Sequence, residues 1–164
     1  MPGSEENLKE AFAGESQANR KYLAFAAKAD QEGFSQVAKL FRAAAEAETV
    51  HAHNHLRALG GIKGTKENLE EAVNGEVFEF QKMYPAMIGT AKSEGNKGAE
   101  TTFHYANEVE KIHAELYKKA LDTLGKNTET DYYVCGRCGN TVEGGPPDKC
   151  PICGAPRSLF KKID

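Results

Sequence analysis

The four cysteines of this chain stand in a spacing that suits a metal ion. They form two C-x-x-C pairs separated by eleven residues, Cys135-Gly-Arg-Cys138 and Cys150-Pro-Ile-Cys153. Two such pairs can bring four thiolates together tetrahedrally around one metal. Gly139 and Gly154 each follow the second cysteine of a pair, and glycine allows the positive φ that turns backbone N–H groups toward sulfur. Spacing alone leaves iron and zinc equally open, and zinc would make the site purely structural.

A second set of metal-binding residue types occurs earlier in the chain. Glu48 and His51 are three residues apart, and so are Glu110 and His113. At this spacing both side chains of a pair lie on one face of a helix. An E-x-x-H pair on each of two helices, with a Glu from each of two others, is typical of di-iron carboxylate bundles. One pair alone would more simply indicate a solvated helix face.

The glutamates upstream of these pairs are regularly placed. The sequence separation from Glu15 to Glu48 equals that from Glu76 to Glu110 to within one position. Each half of the region therefore carries a lone Glu followed by E-x-x-H, which predicts two related helical hairpins and favours a metal site over a chance pattern. Glu79 adds a further carboxylate three residues after Glu76.

Burial supports the same interpretation. Glu15 shares an apolar helical stripe with Phe12 and Tyr22, and an unpaired carboxylate there would cost several kcal/mol. Two divalent ions would supply the opposing charge. Tyr22 and Tyr84 could donate phenolic hydrogen bonds to metal ligands, or they could be ordinary core residues. Three further histidines lie outside the pattern and are predicted at the surface: His53, His55 and His104.

The elements that must position these residues are helices. From residue 5 to about 124 the sequence is rich in Ala, Glu, Lys and Leu, with glycine-containing turns near residues 33, 60–64 and 95–98. This pattern predicts a four-helix region in which Gly60 stops a helix and Thr65 is an N-cap. The predicted helices span residues 5–31, 34–59, 66–94 and 98–124.

A second domain follows, because the composition changes to Cys, Gly, Pro and Tyr. Short strands are predicted at Tyr132–Val134 and at Leu159–Phe160. We therefore expect one domain over residues 1–128 and another over residues 129–164.

The overall composition excludes some partners. The net charge is −3, and 21 basic and 24 acidic residues are mixed along the sequence, so no basic stripe for nucleic acid is present. No apolar stretch approaches the roughly 18 residues of a membrane-spanning helix, and the N-terminus lacks the apolar core of a signal peptide. We expect a cytoplasmic protein with no membrane and no nucleic-acid partner. In such a reducing compartment the cysteine pairs favour metal over disulfides.

Together these motifs resemble the rubrerythrin family over nearly the whole chain. The resemblance implies a mainly α fold class, in which a ferritin-like four-helix bundle precedes a small rubredoxin-like four-cysteine domain. The chain departs from the family pattern at two places. One is Asn140, where rubredoxins often have an aromatic residue, and the other is the short connection between the second and third helices. The motifs that carry it are Phe12-Ala-Gly-Glu15, Glu48-x-x-His51, Gly75-Glu76-x-x-Glu79, Met83-Tyr84-Pro85, Glu110-x-x-His113 and the cysteine pairs.

The resemblance also implies roles for individual residues. Glu48 and Glu110 would bridge two irons, His113 would stay bound, and Glu79 and His51 would exchange as ligands with redox state. Tyr22 and Tyr84 would donate hydrogen bonds beside the metals. The implied di-iron ligands are Glu15, Glu48, His51, Glu76, Glu79, Glu110 and His113, and the implied ligands of the single iron are Cys135, Cys138, Cys150 and Cys153.

The function implied is that of a non-haem di-iron peroxidase, which reduces hydrogen peroxide to water and protects against oxidative stress. Two non-haem irons would react, and one iron in the four-cysteine site would relay electrons from a rubredoxin or an NAD(P)H-dependent reductase. Two alternatives remain open. One is ferritin-like iron oxidation and storage with structural zinc between the cysteines, and the other is a dioxygen-reducing oxidase.

The short connection also predicts a homodimer with exchanged helical hairpins. In a single-chain bundle of this family the second and third helices run parallel, so the connection must climb about 30 Å and cross about 10 Å. Residues 60–66, fully extended, reach only about 25 Å. If the chain instead passes from its second helix straight into the bundle of a partner chain, the connection no longer has to span this distance.

Overall fold

The chain is mainly helical and ends in a small β-sheet, which confirms the predicted fold class. A computed structural model describes residues 2–164. The predicted helix ends at residues 5, 31, 34, 59, 98 and 124 lie within two residues of the observed ones. The α-helices are α1 (Ser4–Gln31), α2 (Ser35–Ala58), α3 (Thr65–Phe78), α4 (Tyr84–Glu94) and α5 (Lys97–Asp122), and the strands are β1 (Tyr132–Cys135), β2 (Thr141–Glu143) and β3 (Phe160–Ile163).

The first compact unit, up to Lys63, is the N-terminal hairpin of α1 and α2. Three buried alanines recur at intervals of seven residues along α2, Ala38, Ala45 and Ala52. Small side chains at this spacing put one helix face close against its neighbour. Asn19 of α1 uses this proximity, since its side-chain amide donates hydrogen bonds to the Ala45 carbonyl at 2.7 Å and the Thr49 hydroxyl at 2.9 Å. The helix carrying Glu15 is thereby fixed against the helix carrying Glu48.

The second compact unit, Gly64–Asp164, contains the central hairpin of α3, α4 and α5 together with the C-terminal sheet. The predicted helix over residues 66–94 has both ends within one residue of the observed ones, but a π-helical turn at Glu79–Met83 interrupts it and divides it into α3 and α4. Pro85 gives the physical reason. Proline has no N–H to donate to the carbonyl four residues earlier, and its ring collides with that carbonyl. Glu79 is the first residue of this π-helical turn.

Two boundary predictions need correction. Thr65 is the first residue of α3 rather than its N-cap, since Gly64 is extended and its carbonyl already accepts the Asn68 N–H at 2.9 Å. Leu159 belongs to a 3₁₀ turn, so the last strand begins only at Phe160. Gly60 follows α2 with φ of 67°, as expected for a helix stop.

The C-terminal sheet has three antiparallel strands in the order β2-β1-β3. The first strand confirms the prediction at Tyr132–Val134, whereas β2 was not predicted because three residues carry no clear alternation. Within this unit the sheet contacts α5, where Lys119 forms an ion pair with Glu143 at 2.6 Å. Cys135, the last residue of the central strand β1, therefore has a defined position relative to α5.

Among residues 2–164, no helix combines the length and the apolar character needed to cross a membrane.

Gly95, the residue after α4, and Gly89, inside α4, give a matched test of the helix end. Gly95 ends α4 with φ of 68°, a conformation that costs other residues about 1–2 kcal/mol. Gly89 lies inside α4, and a methyl group there would meet no atom within 4 Å. We predict that Gly95→Ala lowers the free energy of unfolding by about 1–2 kcal/mol, whereas Gly89→Ala raises it by about 0.5–1 kcal/mol. Urea unfolding followed by circular dichroism measures both, and equal effects of the two changes would contradict this account.

Candidate metal centres

The four cysteine sulfurs lie at the distances that one tetrahedral metal requires. The Cys135 and Cys153 sulfurs are 3.7 Å apart, the Cys138 and Cys150 sulfurs are 3.6 Å apart, and all four lie within 4.8 Å of one another. Metal–sulfur bonds of about 2.3 Å in a tetrahedron separate the sulfurs by about 3.8 Å. A disulfide would need about 2.05 Å. The donor set therefore fits a four-thiolate metal site, as its spacing predicted.

Both cysteine pairs are held by the same backbone pattern. The Gly139 N–H donates to the Cys135 carbonyl, and the Gly154 N–H donates to the Cys150 carbonyl, each at 2.9 Å. These glycines have φ of 84° and 70°, which confirms the predicted positive φ. The left-handed residue closes each turn, so that the second cysteine of a pair faces the first.

The environment of the sulfurs favours ionisation at one of them. Burial raises the pKa of Cys150, but backbone N–H groups of Cys153 and Ile152 outweigh it and lower the pKa to about 7. Burial raises the pKa of Cys138 above its ordinary value. A thiolate stabilised by N–H groups is the form that binds metal.

The N-terminal hairpin brings together three of the seven predicted di-iron ligands, Glu15, Glu48 and His51. Their ligand atoms all lie within 4.8 Å of one another. His51 Nδ1 is 2.8 Å from Glu48 Oε2, as the i, i+3 spacing predicts. The Glu48 side chain is 18% exposed and the His51 side chain 55%. We call this group the N-terminal half-site.

The central hairpin repeats the arrangement with Glu76, Glu110 and His113, the central half-site. These ligand atoms also lie within 4.8 Å of one another. His113 Nδ1 is 2.7 Å from Glu110 Oε2 and 3.8 Å from Glu76 Oε1. The two half-sites thus share residue types and geometry, which agrees with the repeat found in the sequence.

Electrostatics at the central half-site favour the binding of a cation. Burial, followed by the negative charge of Glu110, raises the pKa of Glu76 to about 7. Burial also raises the pKa of Glu110. Two carboxylates this close cannot both ionise cheaply without a cation. Two carboxylates with an imidazole nitrogen beside them are suitable ligands for a divalent metal ion, whose positive charge would offset the repulsion between the carboxylates.

Glu79 lies near this half-site but outside its tight triad. Its negative charge contributes to the raised pKa of Glu76, of Glu110 and of Tyr84. For Tyr84 the largest cause is burial, and its ring packs 6.3 Å from that of Phe103. The π-helical turn therefore keeps Glu79 and Tyr84 within electrostatic reach of the ligand candidates.

Tyr22 has different surroundings. Its ring lies 6.4 Å from that of Phe25 and 6.2 Å from that of Phe41. These contacts belong to the core of the N-terminal hairpin, and its role as a hydrogen-bond donor to the metals stays a prediction. Of the histidines predicted at the surface, His53 and His104 are exposed and His55 is half-buried.

The two histidines of the half-sites differ in one contact. His113 Nε2 lies 2.9 Å from Thr141 Oγ1 on β2, and the Thr141 hydroxyl donates to the Gly139 carbonyl at 3.1 Å. Because that hydroxyl has one proton, its oxygen must accept from Nε2–H, which leaves Nδ1 of His113 free to bind a metal. His51 has no corresponding contact among residues 2–164, and its ring is half exposed.

Sequence reasoning missed three residues near these sites. Tyr117 follows His113 by four residues on the same face of α5, and burial followed by the charges of Glu76 and Glu110 raises its pKa. The helical spacing could have indicated it. Thr141 gave no signal, since it lies far from its partner in the sequence. The side chain of Asn140 contacts the Cys150 sulfur, whereas the sequence indicates this residue only as a departure from the aromatic residue common in rubredoxins.

Comparison with known families finds two matches, one in the helical region and one in the cysteine-containing region. The family described as Rubrerythrin matches residues 6–121, and the one described as Rubrerythrin, rubredoxin-like domain matches residues 133–161.

Similar proteins cover almost the whole chain. Rubrerythrin-2 of Clostridium acetobutylicum is 36% identical, and the match covers 94% of this chain and 93% of the relative. Nigerythrin of Nitratidesulfovibrio vulgaris is also 36% identical, over 94% of this chain and 84% of its own length. Among solved structures, nigerythrin in its mixed-valence state matches with a TM-score of 0.59 and 35% identity, over 99% of this chain and 88% of that one.

The raised pKa of Glu76 predicts that metal binding releases a proton. Below about pH 7 the folded, metal-free protein keeps a proton on Glu76 that a metal ion must displace. With the four-cysteine site already loaded, the affinity for ferrous iron should therefore rise as pH increases toward 7 and then level off. Calorimetry at several pH values, in two buffers of different ionisation enthalpy, measures the released protons.

Two variants of α3 serve as the test and its control. Glu76→Gln should remove this proton release at pH 6, whereas Glu70→Gln, an exposed change on the same helix, should retain it. Equal proton release from both variants would show that Glu76 is not the displaced acid.

Proposed function

The chain belongs to the rubrerythrin family, di-iron proteins of oxidative stress defence, and from this premise we propose that it is a peroxidase that reduces hydrogen peroxide to water. Its electrons would pass through the four-cysteine site. The donor would be a rubredoxin or an NAD(P)H-dependent reductase. We place the protein in the cytoplasm, where a reducing environment keeps its four free cysteines available for metal.

The observation that carries this proposal is the contact between His113 and Thr141 at 2.9 Å. Thr141 also donates to the carbonyl of Gly139, the residue directly after Cys138. A chain of covalent and hydrogen bonds therefore runs from a cysteine of the four-cysteine site to an imidazole of the central half-site. Such a connection supports electron relay between the two sites.

When bound, an iron pair supplies two electrons that convert one hydrogen peroxide and two protons into two molecules of water. The residues of the chain then have separate tasks. Thr141 would fix the His113 tautomer in which Nδ1 is free to bind a metal. Burial and three nearby glutamates keep the Tyr84 phenol protonated, so it can donate a hydrogen bond beside the site. The ring of His51 is half exposed, and its Nε2 has no hydrogen-bond partner within residues 2–164. This supports its proposed role as the histidine that exchanges with Glu79.

Removing one cysteine tests the relay. We predict that Cys153→Ser abolishes peroxide turnover driven by a reductase, while iron in the helical sites is retained and small chemical reductants still support turnover. The oxidised wild-type protein should be red and should bleach on reduction. A colourless protein with one zinc per chain, or normal reductase-driven turnover in the variant, would contradict the relay.

Thr141→Val is the sharper variant, because it keeps all ligand residues. It should slow reductase-driven turnover about tenfold, as loss of a hydrogen bond to a metal-bound histidine does.

A comparison of acceptors separates a peroxidase from an oxidase. Turnover of one wild-type preparation is measured with peroxide and then with dioxygen, using the same electron donor. Faster turnover with dioxygen would favour the oxidase.

Glu79 provides a test of ligand exchange. We predict that Glu79→Ala retains iron but turns over peroxide more slowly, because the oxidised metal pair loses a negative ligand that balances its extra charge. Metal analysis and stopped-flow kinetics measure the two effects. Glu70→Ala on the exposed face of α3 is the control, and equal kinetics in both variants would make Glu79 a bystander.

The observed helix ends support the proposed hairpin exchange. The second helix ends ten residues after Glu48, about 15 Å beyond it, and α3 begins eleven residues before Glu76, about 17 Å short of it. Six residues, 59–64, connect the two helices, and they reach about 25 Å when extended. In a single-chain bundle with parallel α2 and α3 the connection would have to span about 30 Å or more. We propose that each N-terminal half-site is completed by the central half-site of a partner chain.

Complementation tests this exchange. A chain with Glu15→Ala is combined with a chain with Glu110→Ala by co-expression, and each variant alone should be inactive. An exchanged heterodimer pairs the intact N-terminal half-site of one chain with the intact central half-site of the other. Random pairing should then restore about a quarter of the wild-type activity. No restored activity in isolated heterodimers would show that each site is built from one chain.

A further inference from the structure

Asn140 is completely buried beside the four-cysteine site, although its side chain is polar. Its side-chain Nδ2 lies 3.6 Å from the Cys150 sulfur. Its side-chain oxygen is also buried and accepts no hydrogen bond from any group in residues 2–164. Burying an amide whose oxygen makes no hydrogen bond costs free energy. The contact between Nδ2 and the Cys150 sulfur must therefore bring a compensating advantage.

The orientation of this amide follows from the charge of its partner. Cysteine binds metal as a thiolate, and a thiolate accepts hydrogen bonds. With Nδ2 toward sulfur the amide offers a donor to that negative charge. The flipped orientation would place the amide oxygen against it and would be repulsive. A charge-assisted N–H···S bond therefore compensates for the unsatisfied oxygen.

Comparison of the two cysteine pairs shows that the backbone does not need this amide. The carbonyl of Asn140 accepts the Cys135 N–H at 2.9 Å, and the carbonyl of Ala155 accepts the Cys150 N–H at 2.8 Å. Both residues are completely buried at equivalent positions of their turns. Ala155 fills its position with a methyl group alone. The carboxamide of Asn140 therefore adds a donor to one sulfur in an otherwise similar frame.

We propose that Asn140 is a positioning residue that raises the reduction potential of iron in the four-cysteine site through its N–H···S bond to Cys150. The inference rests on the proposed presence of iron there. One electron from a reductase takes the charge of iron with four thiolates from −1 to −2, and no bond forms or breaks. A donor aimed at sulfur stabilises the more negative state. Asn140 thereby favours electron uptake by the relay.

Two substitutions of opposite volume separate this effect from packing. Asn140→Ala leaves space and Asn140→Leu adds bulk, but both remove the donor. Each should weaken reduction of the full-length, iron-loaded protein about tenfold, which is a drop of about 59 mV for one electron. Val142→Ala, a half-buried change on β2, should leave the potential unchanged. A visible spectroelectrochemical titration measures all four proteins, and an unchanged or raised potential in both Asn140 variants overturns the proposal.

A measurement on the unaltered chain covers the case in which the variants do not fold. The four-cysteine site is loaded with cadmium-113, and the side-chain amide of Asn140 is labelled with nitrogen-15. We expect a scalar coupling between the metal and an Asn140 amide proton, transmitted through the N–H···S bond. Absence of this coupling, while backbone N–H groups of the same site show theirs, overturns the proposal. That result would also leave iron and the peroxidase function untouched, so the two ideas fail separately.

Discussion

Like charges held close together are the constraint on which the rest of this structure depends. The central half-site places Glu76 and Glu110 side by side, largely out of water, where burial and mutual repulsion raise the pKa of Glu76 to about 7. The cysteine sulfurs are confined in the same way, within 4.8 Å of one another. Each cluster is costly in a metal-free protein and favourable around a cation. The hairpin of α3, α4 and α5 holds the first cluster, and the glycine turns of the cysteine pairs hold the second.

The same sequence repeat gives two half-sites that are not equivalent. Both present a glutamate and an E-x-x-H pair, and within the second compact unit His113 contacts Thr141 of β2. That contact fixes one histidine and leaves the other, His51, half exposed. The repeated sequence pattern supplies similar ligands in both hairpins, and the contact of β2 with α5 adds a partner to His113. The asymmetry fits a site in which one imidazole stays bound while the other is replaced, as our proposed function requires.

The four-cysteine site shows a similar division. Its two turns share the same backbone hydrogen bonds, with Asn140 and Ala155 at equivalent buried positions. The frame orders four sulfurs, and the side chain at one position adds a donor to Cys150. The backbone thus sets the positions of the four sulfurs. The carboxamide of Asn140 separately adds the hydrogen bond that we propose tunes the metal.

Local patterns determined much of this protein by themselves. The E-x-x-H pairs lie on one helix face because helical geometry fixes residues three apart, and the C-x-x-C pairs form turns because Gly139 and Gly154 permit positive φ. The helices and the family followed from the same short-range rules. The π-helical turn at Glu79–Met83 was missed, because Pro85 removes one hydrogen bond while the helix continues around it. Only the tertiary structure decided that Thr141 contacts His113 and that Asn140 contacts Cys150. Both pairs are distant in sequence, and such contacts depend on how β2 packs and how the two cysteine turns converge, which no local spacing encodes.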